Sequence, residues 1–382
     1  RSAALAMGAY NDRLYLEMKN DKEKLYHHRW GSNNSFNAVV GMDYTWHAEQ
    51  SQKNGEPGYI WLDNARTRGR FKDPPRYDDV NVAGFNPCVE QQLEDAELCC
   101  LVETFPAKHD DYEDYLKTLK IAYLYGKTIT LSNTHWPETN AKMLKNRRIG
   151  LSQSGVIQAF NKFGRRTILN WCDEAYAHVQ KLDDEYSNWL CIPKSVRMTS
   201  IKPSGTVSLL NGSTPGIHFP EDEYYIRRIR FSKDSQLVEP LQAAGYKIED
   251  DEYSPNTICV EFPVQEPYFQ KGKKEATIWE QLEIAAQYYW ADNSVSITVT
   301  FKEEEGEQLK SALEMYESRL KAVSFLRYQL TGYKQPPYEP ITKEEYEELI
   351  KNITPIQRFK VEEQGSGTKF CDGDSCEIQF DQ

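Results

Sequence analysis

The sequence predicts an α/β fold with a largely parallel sheet, either open or closed into a barrel. Between residues 196 and 325, strand-like and helix-like segments alternate, as they do in α/β folds. β-Branched and aromatic residues mark the predicted strands, at 196–201, 225–231, 257–262 and 295–301. Helical spacing of apolar residues marks the predicted helices between them, at 235–244, 277–289 and 303–321.

The remaining segments predict a division into two parts. Residues 1–70 mix short strands with loops, and residues 111–191 have helical spacing. From residue 333 the composition changes to a Pro-rich linker, a short capped helix at 342–350 and a polar Gly/Ser tether at 362–369. We therefore predict a folded α/β portion over 1–332 and a linker with a flexible tail over 333–382.

Composition and charge restrict the function. The 382 residues are 39% hydrophobic and suffice for one large domain or two. A net charge of −12 argues against nucleic acid or an anionic membrane as the main partner, so an anionic ligand needs a local site. No stretch of 18 apolar residues and no signal peptide is recognised, and we expect a cytoplasmic protein.

A compact set of reactive groups lies at Asn86, Cys88 and Glu90. In an extended or looped backbone, residues two apart share a face, so the amide, thiol and carboxylate could reach one ligand. A hydrogen-atom donor beside a proton acceptor suits chemistry on a sugar ring. Read alone, a buried Cys is more often a small hydrophobic residue. Cys99 and Cys100 follow after a short acidic loop.

A second motif, at 202–210, follows a predicted strand and is expected to open a helix. Its small residues would let backbone N–H groups approach an anion, and a helix N-terminus would add its dipole. The predicted phosphate-binding residues are Ser204, Gly205, Thr206, Val207 and Ser208. The motif is not a Walker sequence, and the same residues could form a turn with a helix N-cap.

Of the eight cysteines, two lie in the tail. Cys371 and Cys376 flank a Gly on the flexible tether, so they could close a small disulfide ring. A zinc site is the weaker alternative, since no His or third Cys is near, and we predict no metal site in the chain. Three other cysteines lie among apolar residues and are expected in the core: Cys172, Cys191 and Cys259.

Taken together, the run 86–99, the run 202–219 and the tail resemble the adenosylcobalamin-dependent, class II ribonucleotide reductases. The resemblance covers nearly the whole chain, and the tail is similar to that of the monomeric, triphosphate-reducing members. It implies a ten-stranded α/β barrel whose centre is threaded by a finger loop, here residues 86–100. Val89 replaces the family's usual Gly, which leaves open whether the loop can make its tightest turn.

The resemblance also implies residue roles. A thiyl radical at Cys88 takes the 3′ hydrogen of the ribose, Glu90 removes the 3′ hydroxyl proton, and Asn86 orients the sugar. Cys99 is one of two reducing thiols, because Cys100 stands where the family commonly has Asn. The second reducing thiol lies on an earlier strand in the family, and no Cys precedes Cys88 here.

The implied reaction reduces ribonucleoside triphosphates to deoxyribonucleotides for DNA synthesis. Residues 204–208 would hold the substrate phosphates, and the tail cysteines would carry electrons from a thioredoxin-like reductant. Residues 1–3 resemble the end of the loop that, in this family, couples effector binding to the choice of substrate base. A deoxynucleotide effector would therefore bind in an N-terminal half. The chain is therefore expected to be a C-terminal half or a split subunit. Residues 29–36 and 55–64 resemble segments leading to the finger loop, although the first could be an exposed turn.

The sequence also admits alternatives to a class II reductase. The diiron-linked classes use paired tyrosines, and two pairs occur at 224–225 and 288–289, where core packing is the other interpretation. The glycyl-radical class is disfavoured, since the tail lacks its Gly-containing signature. Arg147 and Arg148 could form a solvated face or have a structural role near the site. A non-enzyme interpretation is a redox-inert, nucleotide-binding fragment that needs the other half.

Overall fold

A computed structural model describes residues 4–21, 23, 32–252, 254–328 and 334–356 of the chain. Its strands are β1 Ala4–Ala9, β2 Ser32–Asn37, β3 Gly58–Ile60, β4 Gly84–Phe85, β5 Gln92–Leu93, β6 Leu101–Thr104, β7 Gly150–Gln153, β8 Tyr224–Ser232, β9 Lys247–Asp250, β10 Thr257–Gln265, β11 Thr298–Phe301, β12 Ala322–Arg327 and β13 Tyr338–Pro340. Its α-helices are α1 Arg13–Leu16, α2 Thr45–Asn54, α3 Leu62–Thr67, α4 Tyr112–Ile129, α5 Pro137–Asn146, α6 Val156–Phe163, α7 Arg165–Leu190, α8 Val238–Ala243, α9 Ile278–Gln287, α10 Leu309–Tyr316 and α11 Lys343–Lys351. Short 3₁₀ helices lie at Met18–Asn20, Pro106–Lys108, Val207–Asn211 and Glu303–Gln308.

The described residues form two compact units. The first contains those between 4 and 220 together with Tyr268–Tyr328, and the second contains Glu221–Pro267 together with 334–356. This division differs from the one predicted at residue 332. Residues 221–267 group with 334–356 and not with the rest of the first 332 residues.

The first unit is organised around two groups of parallel strands. Strands β1, β2 and β3 are parallel, and β12 and β11 are parallel to each other. The two groups meet antiparallel at β3 and β12. Beyond β11, parallel bridges from Val295 to Ile201 and from Thr199 to Leu151 continue the second group to β7 and β6.

The order of strand positions in this unit is therefore β1, β2, β3, β12, β11, 199–201, β7 and β6. The predicted parallel α/β arrangement holds within each group but not between them. Eight strand positions are seen among the described residues, with β1 and β6 at the two ends, against the ten of the barrel that the resemblance implies. Strand 196–201 pairs only around Thr199 and Ile201, and the predicted strand 295–301 is regular only in β11.

Residues 111–191 are mostly helical, as predicted, and α4 packs against β6 and β7 of the second strand group. Asp111 is the N-cap of helix α4, and its carboxylate accepts the Asp114 N–H. The helix buries Tyr115, Leu119 and Tyr123 at four-residue spacing. The long helix α7 packs against α4 and buries Cys172 in the same core. Cys191 is different from the prediction: it caps α7 in the left-handed conformation and is exposed, so placing it in the core was wrong.

The second unit is an antiparallel sheet in the order β13, β8, β10 and β9. The predicted strands 225–231 and 257–262 exist, but assigning them to the parallel α/β sheet was wrong. The predicted capped helix at 342–350 forms as α11, with a capping box between Thr342 and Glu345. The buried residues of this unit's core include Leu241, Ile258 and Val260.

Two predicted helices are shorter than expected. The segment 235–244 is helical only in α8, and 303–321 divides into a 3₁₀ helix and α10, which ends at Tyr316. Within the described ranges, no helix combines the length and apolar character needed to cross a membrane.

Candidate active site at the finger loop

The finger loop begins as a hairpin whose tip is closed by Asn86. Strands β4 and β5 pair antiparallel, and the Asn86 N–H donates to the Gln91 carbonyl at 3.0 Å. The Asn86 side chain closes the tip further, since its Oδ1 accepts the Gln91 N–H at 3.0 Å. The Asn86 carbonyl accepts the Val89 N–H at 2.9 Å, which makes a tight turn across Pro87 and Cys88.

Val89 makes the turn usually left to Gly. Its φ is 65°, in the left-handed region that is costly for a β-branched residue. The side chain packs against a small apolar cluster that includes Ile60, Leu62 and Val82. The tight turn is thus retained despite the substitution, and burial of the Val89 side chain offsets part of the strain.

Strand β2 and the segment just before β11 hold the tip. Asn33 in β2 donates from Nδ2 to the Pro87 carbonyl at 2.8 Å, and Ser296 donates from Oγ to the Cys88 carbonyl at 2.6 Å. The segment around Asn33 is therefore a strand against the finger loop rather than an exposed turn. These bonds fix the backbone on both sides of the Cys88 thiol.

Cys88, Glu90 and Cys99 lie around one cation, the Lys202 ammonium. Lys202 Nζ donates to Glu90 Oε1 at 2.8 Å and also hydrogen bonds the Cys88 thiol. Cys99 is close enough to interact electrostatically with Glu90, Lys202 and Cys88. Glu90 is fully buried, and its Oε2 has no hydrogen-bond partner among the described residues. The finger loop therefore brings the predicted thiols and carboxylate together.

Electrostatics keeps the Cys88 sulfur protonated. Burial raises the pKa of the Cys88 thiol, the Glu90 carboxylate raises it further, and Lys202 opposes this only in part. Burial alone would lower the pKa of Lys202, but attraction to Glu90 raises it above its ordinary value. At neutral pH the site therefore holds an S–H group, which is the form that can exchange a hydrogen atom, beside a charged ammonium.

The two adjacent cysteines differ in their exposure. Cys99 is exposed, whereas Cys100 is buried and its Sγ donates to the Gly126 carbonyl at 3.4 Å. This placement supports Cys99 as the redox thiol and gives Cys100 a packing role.

A cavity of about 380 Å³ opens beside Cys88 and Val89. It is lined by residues of β2, β3, β11 and β12, and its polar lining includes Asn33, Asn34, Ser35, Ser296, Thr298 and Ser324. The Nδ2 atom of Asn34 is buried and has no hydrogen-bond partner in the described ranges. The volume is in the range of small-molecule sites, and the orphaned amide is a ready donor for a ligand.

The predicted phosphate-binding residues lie in a turn that enters the short 3₁₀ helix Val207–Asn211. Ser204 has a φ of 47°, and its Oγ donates to Glu103 Oε2 at 2.6 Å. Gly205, Thr206 and Val207 are exposed, and a Cβ added at Gly205 would meet no atom within 4 Å. The expected helix dipole is small here, since the helix is only five residues long.

Unpaired hydroxyl groups surround this turn. The buried Oγ of Ser208, the Oγ of Ser213 and the Oγ1 of Thr214 have no hydrogen-bond partner in the part of the chain that the structure describes. Buried hydroxyls without partners are rare in folded proteins, and each could donate to an anion. Together with the motif, to which Ser208 belongs, they favour an anion at this turn.

The Glu103 carboxylate fixes the turn at 204–208. Its Oε1 accepts from Ser152 Oγ at 3.1 Å and from Ser154 Oγ at 2.7 Å, while Oε2 is held by Ser204. Burial raises the pKa of the Glu103 carboxyl, and the three hydroxyls oppose this. Residues 212–219, which follow the 3₁₀ helix and are called the return segment, are fixed by His218, whose Nε2 accepts the Thr298 N–H at 3.1 Å. Burial lowers the pKa of His218 to about 4, so this acceptor stays neutral at physiological pH.

A buried ion network supports both stems of the finger loop. Arg148 is fully buried and donates to Asp79 through two bonds of 2.7 and 2.8 Å and to Glu97 at 3.0 Å. Asp79 also accepts from Gln92 in β5 at 2.6 Å, and Glu97 accepts the Glu94 N–H at 2.7 Å. Of the two interpretations of the Arg pair, the structure supports the structural role.

Sequence reasoning missed three members of this site: Lys202, Glu103 and Asp79. Lys202 belongs to the recognised motif, but its partner Glu90 lies 112 residues away along the chain. Glu103 follows the finger loop directly, with no local pattern that marks it.

Of the tyrosine pair 288–289, Tyr288 is buried against Cys172 and Gln153, which is core packing.

Some predicted features lie outside the described residues, namely the tail cysteines Cys371 and Cys376 and the opening residues 1–3. Where side chains are described, no group of three or more His, Cys, Asp or Glu residues is placed to hold a metal ion.

Comparisons with known proteins identify relatives of the chain. No protein-family model matches the chain. The probable adenosylcobalamin-dependent ribonucleoside-triphosphate reductase of Dictyostelium discoideum is 46% identical over 393 residues, covering 100% of this chain and 52% of the relative. The corresponding Euglena gracilis reductase is 46% identical, with 98% and 53% covered, and that of Lactobacillus leichmannii is 37% identical, with 93% and 52% covered. The chain thus spans about half the length of the curated relatives it matches.

Solved structures place the fold. A crystal structure of a B12-dependent, class II ribonucleotide reductase superposes with a TM-score of 0.85 and 35% identity, covering 92% of this chain and 54% of that one. A class Id ribonucleotide reductase alpha subunit from Actinobacillus ureae has a TM-score of 0.56 at 16% identity, which shows a shared fold alone. The predicted α/β fold of the reductase type is confirmed, and the chain belongs to the class II ribonucleotide reductase family.

Proposed function

We propose that the protein reduces ribonucleoside triphosphates to 2′-deoxyribonucleoside triphosphates through a thiyl radical at Cys88, for DNA precursor synthesis. The observation that carries this proposal is that Cys88 and Glu90, at the tip of one hairpin, lie around the Lys202 ammonium together with Cys99 from the same finger loop. A protonated thiol and a carboxylate with one free oxygen are the groups that such a reaction needs on one sugar. The names of the relatives support the same reaction.

Each residue has a distinct part. Cys88 takes the 3′ hydrogen atom, and Glu90 accepts the 3′ hydroxyl proton at Oε2, which assists departure of the 2′ hydroxyl as water. Cys99 and a second thiol supply two electrons and two protons and become a disulfide, and Cys88 returns the hydrogen atom to C3′. Asn86 Oδ1 already closes the hairpin, so its amide nitrogen would hold the sugar.

Adenosylcobalamin is the proposed cofactor, and its nucleoside portion fits the cavity at Cys88. The orphaned Nδ2 of Asn34 and the neighbouring hydroxyls of Ser35 and Ser324 would hold it. When bound, the cofactor supplies a radical by homolysis of its cobalt–carbon bond. Among the cysteines that the structure describes, Cys88 is the one that lines the cavity, so it would be the group that gives up its hydrogen atom.

The substrate phosphates would bind at 204–208. Because the Ser204 hydroxyl is engaged by Glu103, its contribution there would come from the backbone, as would those of Gly205 and Thr206. The Ser208 hydroxyl, which has no partner among the residues described, would donate directly. This local site accounts for anion binding by a chain with a net charge of −12.

The proposed partners act on the same cycle. Cys371 and Cys376 would form the dithiol that carries electrons from a thioredoxin-like reductant to Cys99 and its partner. A deoxynucleotide effector would bind at a site outside the described residues. Reduced thiols persist in the cytoplasm, so we propose that compartment for the protein.

The test uses the natural full-length protein with a ribonucleoside triphosphate, adenosylcobalamin and a small dithiol. Formation of deoxyribonucleoside triphosphate that requires the cofactor is the expected result. Binding of the nucleotide without any product would instead favour a nucleotide-binding role, the alternative to which the half-length match to the relatives points.

A further inference from the structure

Lys202 occupies a special position in the candidate site. Its side chain is about three-quarters buried, with 26% exposed, and its ammonium reaches the fully buried Glu90. The same charge interacts with the thiols of Cys88 and Cys99. One cation therefore contacts or influences three of the groups that the proposed reaction uses, although the reaction assigns it no role.

The backbone at Lys202 is fixed on both sides. Its N–H donates to Ser152 Oγ at 2.8 Å. On the other side, a Cβ added to Gly216 would come within 2.3 Å of the Lys202 carbonyl, so the return segment packs directly against it. The φ of Gly216, 49°, also favours a residue without a Cβ. The ammonium is thus delivered to Glu90 from a rigid base.

The ion pair has two consequences for Glu90. A buried carboxylate without a partner is strongly disfavoured, so the ammonium at 2.8 Å permits Glu90 to be ionised where it is fully buried. The pair also occupies Oε1 and leaves Oε2 as the oxygen with no partner among the residues the structure describes. Glu90 thereby has one acceptor held and one acceptor available.

We propose that Lys202 is a positioning residue for the base, which holds Glu90 ionised and presents Oε2 to the 3′ hydroxyl of the sugar. This inference rests on the proposed function. In the step concerned, the proton moves from the 3′ oxygen to Glu90 Oε2, the O–H bond breaks as the new one forms, and Lys202 keeps its proton throughout. The Lys202 ammonium attracts the ionised form of Glu90 more strongly than the neutral acid. It therefore favours return of the proton from Glu90 to solvent or substrate.

A different role for Lys202 would be direct binding of substrate phosphate, since it precedes the phosphate-binding turn. The geometry argues against this, because its nitrogen is directed to Glu90 and the thiols. The two roles differ in their kinetics. Loss of a phosphate contact raises KM, whereas loss of an ionised base lowers kcat and moves the acidic limb of the pH–rate profile.

The experiment compares Lys202→Met and Lys202→Arg in the natural full-length protein, with the exposed Lys194→Met as the control variant. For Lys202→Met we expect kcat to fall by about 10²-fold, the usual loss for a base, with KM nearly unchanged. The acidic limb of its profile should shift to higher pH. Lys202→Arg should restore most of the rate, and Lys194→Met should match the wild type.

A second readout does not require turnover. Infrared difference spectra, with Glu90→Gln to identify the band, should show an ionised Glu90 at pH 7 in the wild type and Lys202→Arg, and a protonated one in Lys202→Met. An unchanged Glu90 band in a folded Lys202→Met, or a rise in KM at constant kcat, would overturn the inference. If Lys202→Met does not fold, Lys202→Gln takes its place. A wild type with the expected band but no turnover would count against the proposed function and not against the ion pair.

Discussion

Replacing Arg148 by Met should strongly destabilise the protein. Met fills much of the same space but leaves Asp79 and Glu97 buried, with 1% and 0% of their side chains exposed. Removing one partner of a buried ion pair costs about 3–5 kcal/mol. Asp79 keeps its bond to Gln92 and the Arg197 guanidinium at 3.6 Å, and Glu97 keeps a bond to Asn146 at 3.1 Å, so we expect a loss near the lower limit, about 3 kcal/mol.

The assay is denaturant unfolding of the variant and the wild type, with slopes compared to verify that the transition remains the same. The exposed ion pair of Lys194 and Asp184 provides the control, since Lys194→Met should change the free energy of unfolding by less than about 1 kcal/mol. Adding Glu97→Gln to Arg148→Met should recover part of the loss, because Glu97 would otherwise stay buried and charged without the cation of its ion pair. A loss below about 1 kcal/mol for Arg148→Met would refute the reasoning that the network bears on stability.

Three further predictions concern the finger loop and the tail. Glu90→Gln should lower kcat by about 10²-fold or more at unchanged nucleotide affinity, and an unchanged rate would remove Glu90 as the base. Val89→Gly should alter the free energy of unfolding by less than about 1 kcal/mol, because relief of roughly 1–2 kcal/mol of strain is opposed by chain entropy and lost packing; a larger change in either direction would contradict this balance. Replacing Cys371 and Cys376 by Ser should spare a single turnover of pre-reduced enzyme but abolish cycling with a protein reductant, with partial rescue by a small dithiol; normal cycling would exclude the shuttle.

The sequence predicted what is local and missed what is distant. The grouping of Cys88 with Glu90 was predictable from five consecutive residues, and both side chains contact Lys202 in the structure, whereas the Asn86 side chain closes the hairpin. Helices with clear spacing and caps, such as α4 and α11, were also predictable. Periodicity does not specify pairing partners, however, so the strands around 225–231 and 257–262 were assigned to a parallel sheet although they form an antiparallel one.

The candidate site shows the same limit. The ion pair of Lys202 and Glu90 joins positions 112 residues apart, and that of Arg148 and Asp79 joins positions 69 apart. Charged residues are mostly exposed, so no composition argument would have placed these side chains in the interior. Only the fold shows that they are buried together, which is why the positioning groups were missed while the reactive groups were predicted.

The most direct test of the central claim is turnover by Cys88→Ser in the natural full-length protein, with substrate affinity measured in parallel. The O–H bond of Ser is too strong for the hydrogen-atom exchange that a thiol performs, so no deoxynucleotide should form while the ribonucleoside triphosphate still binds. The exposed thiol Cys191 provides the matched control, and Cys191→Ser should retain full activity. Deoxynucleotide formation by Cys88→Ser at a measurable fraction of the wild-type rate would contradict the thiyl-radical account.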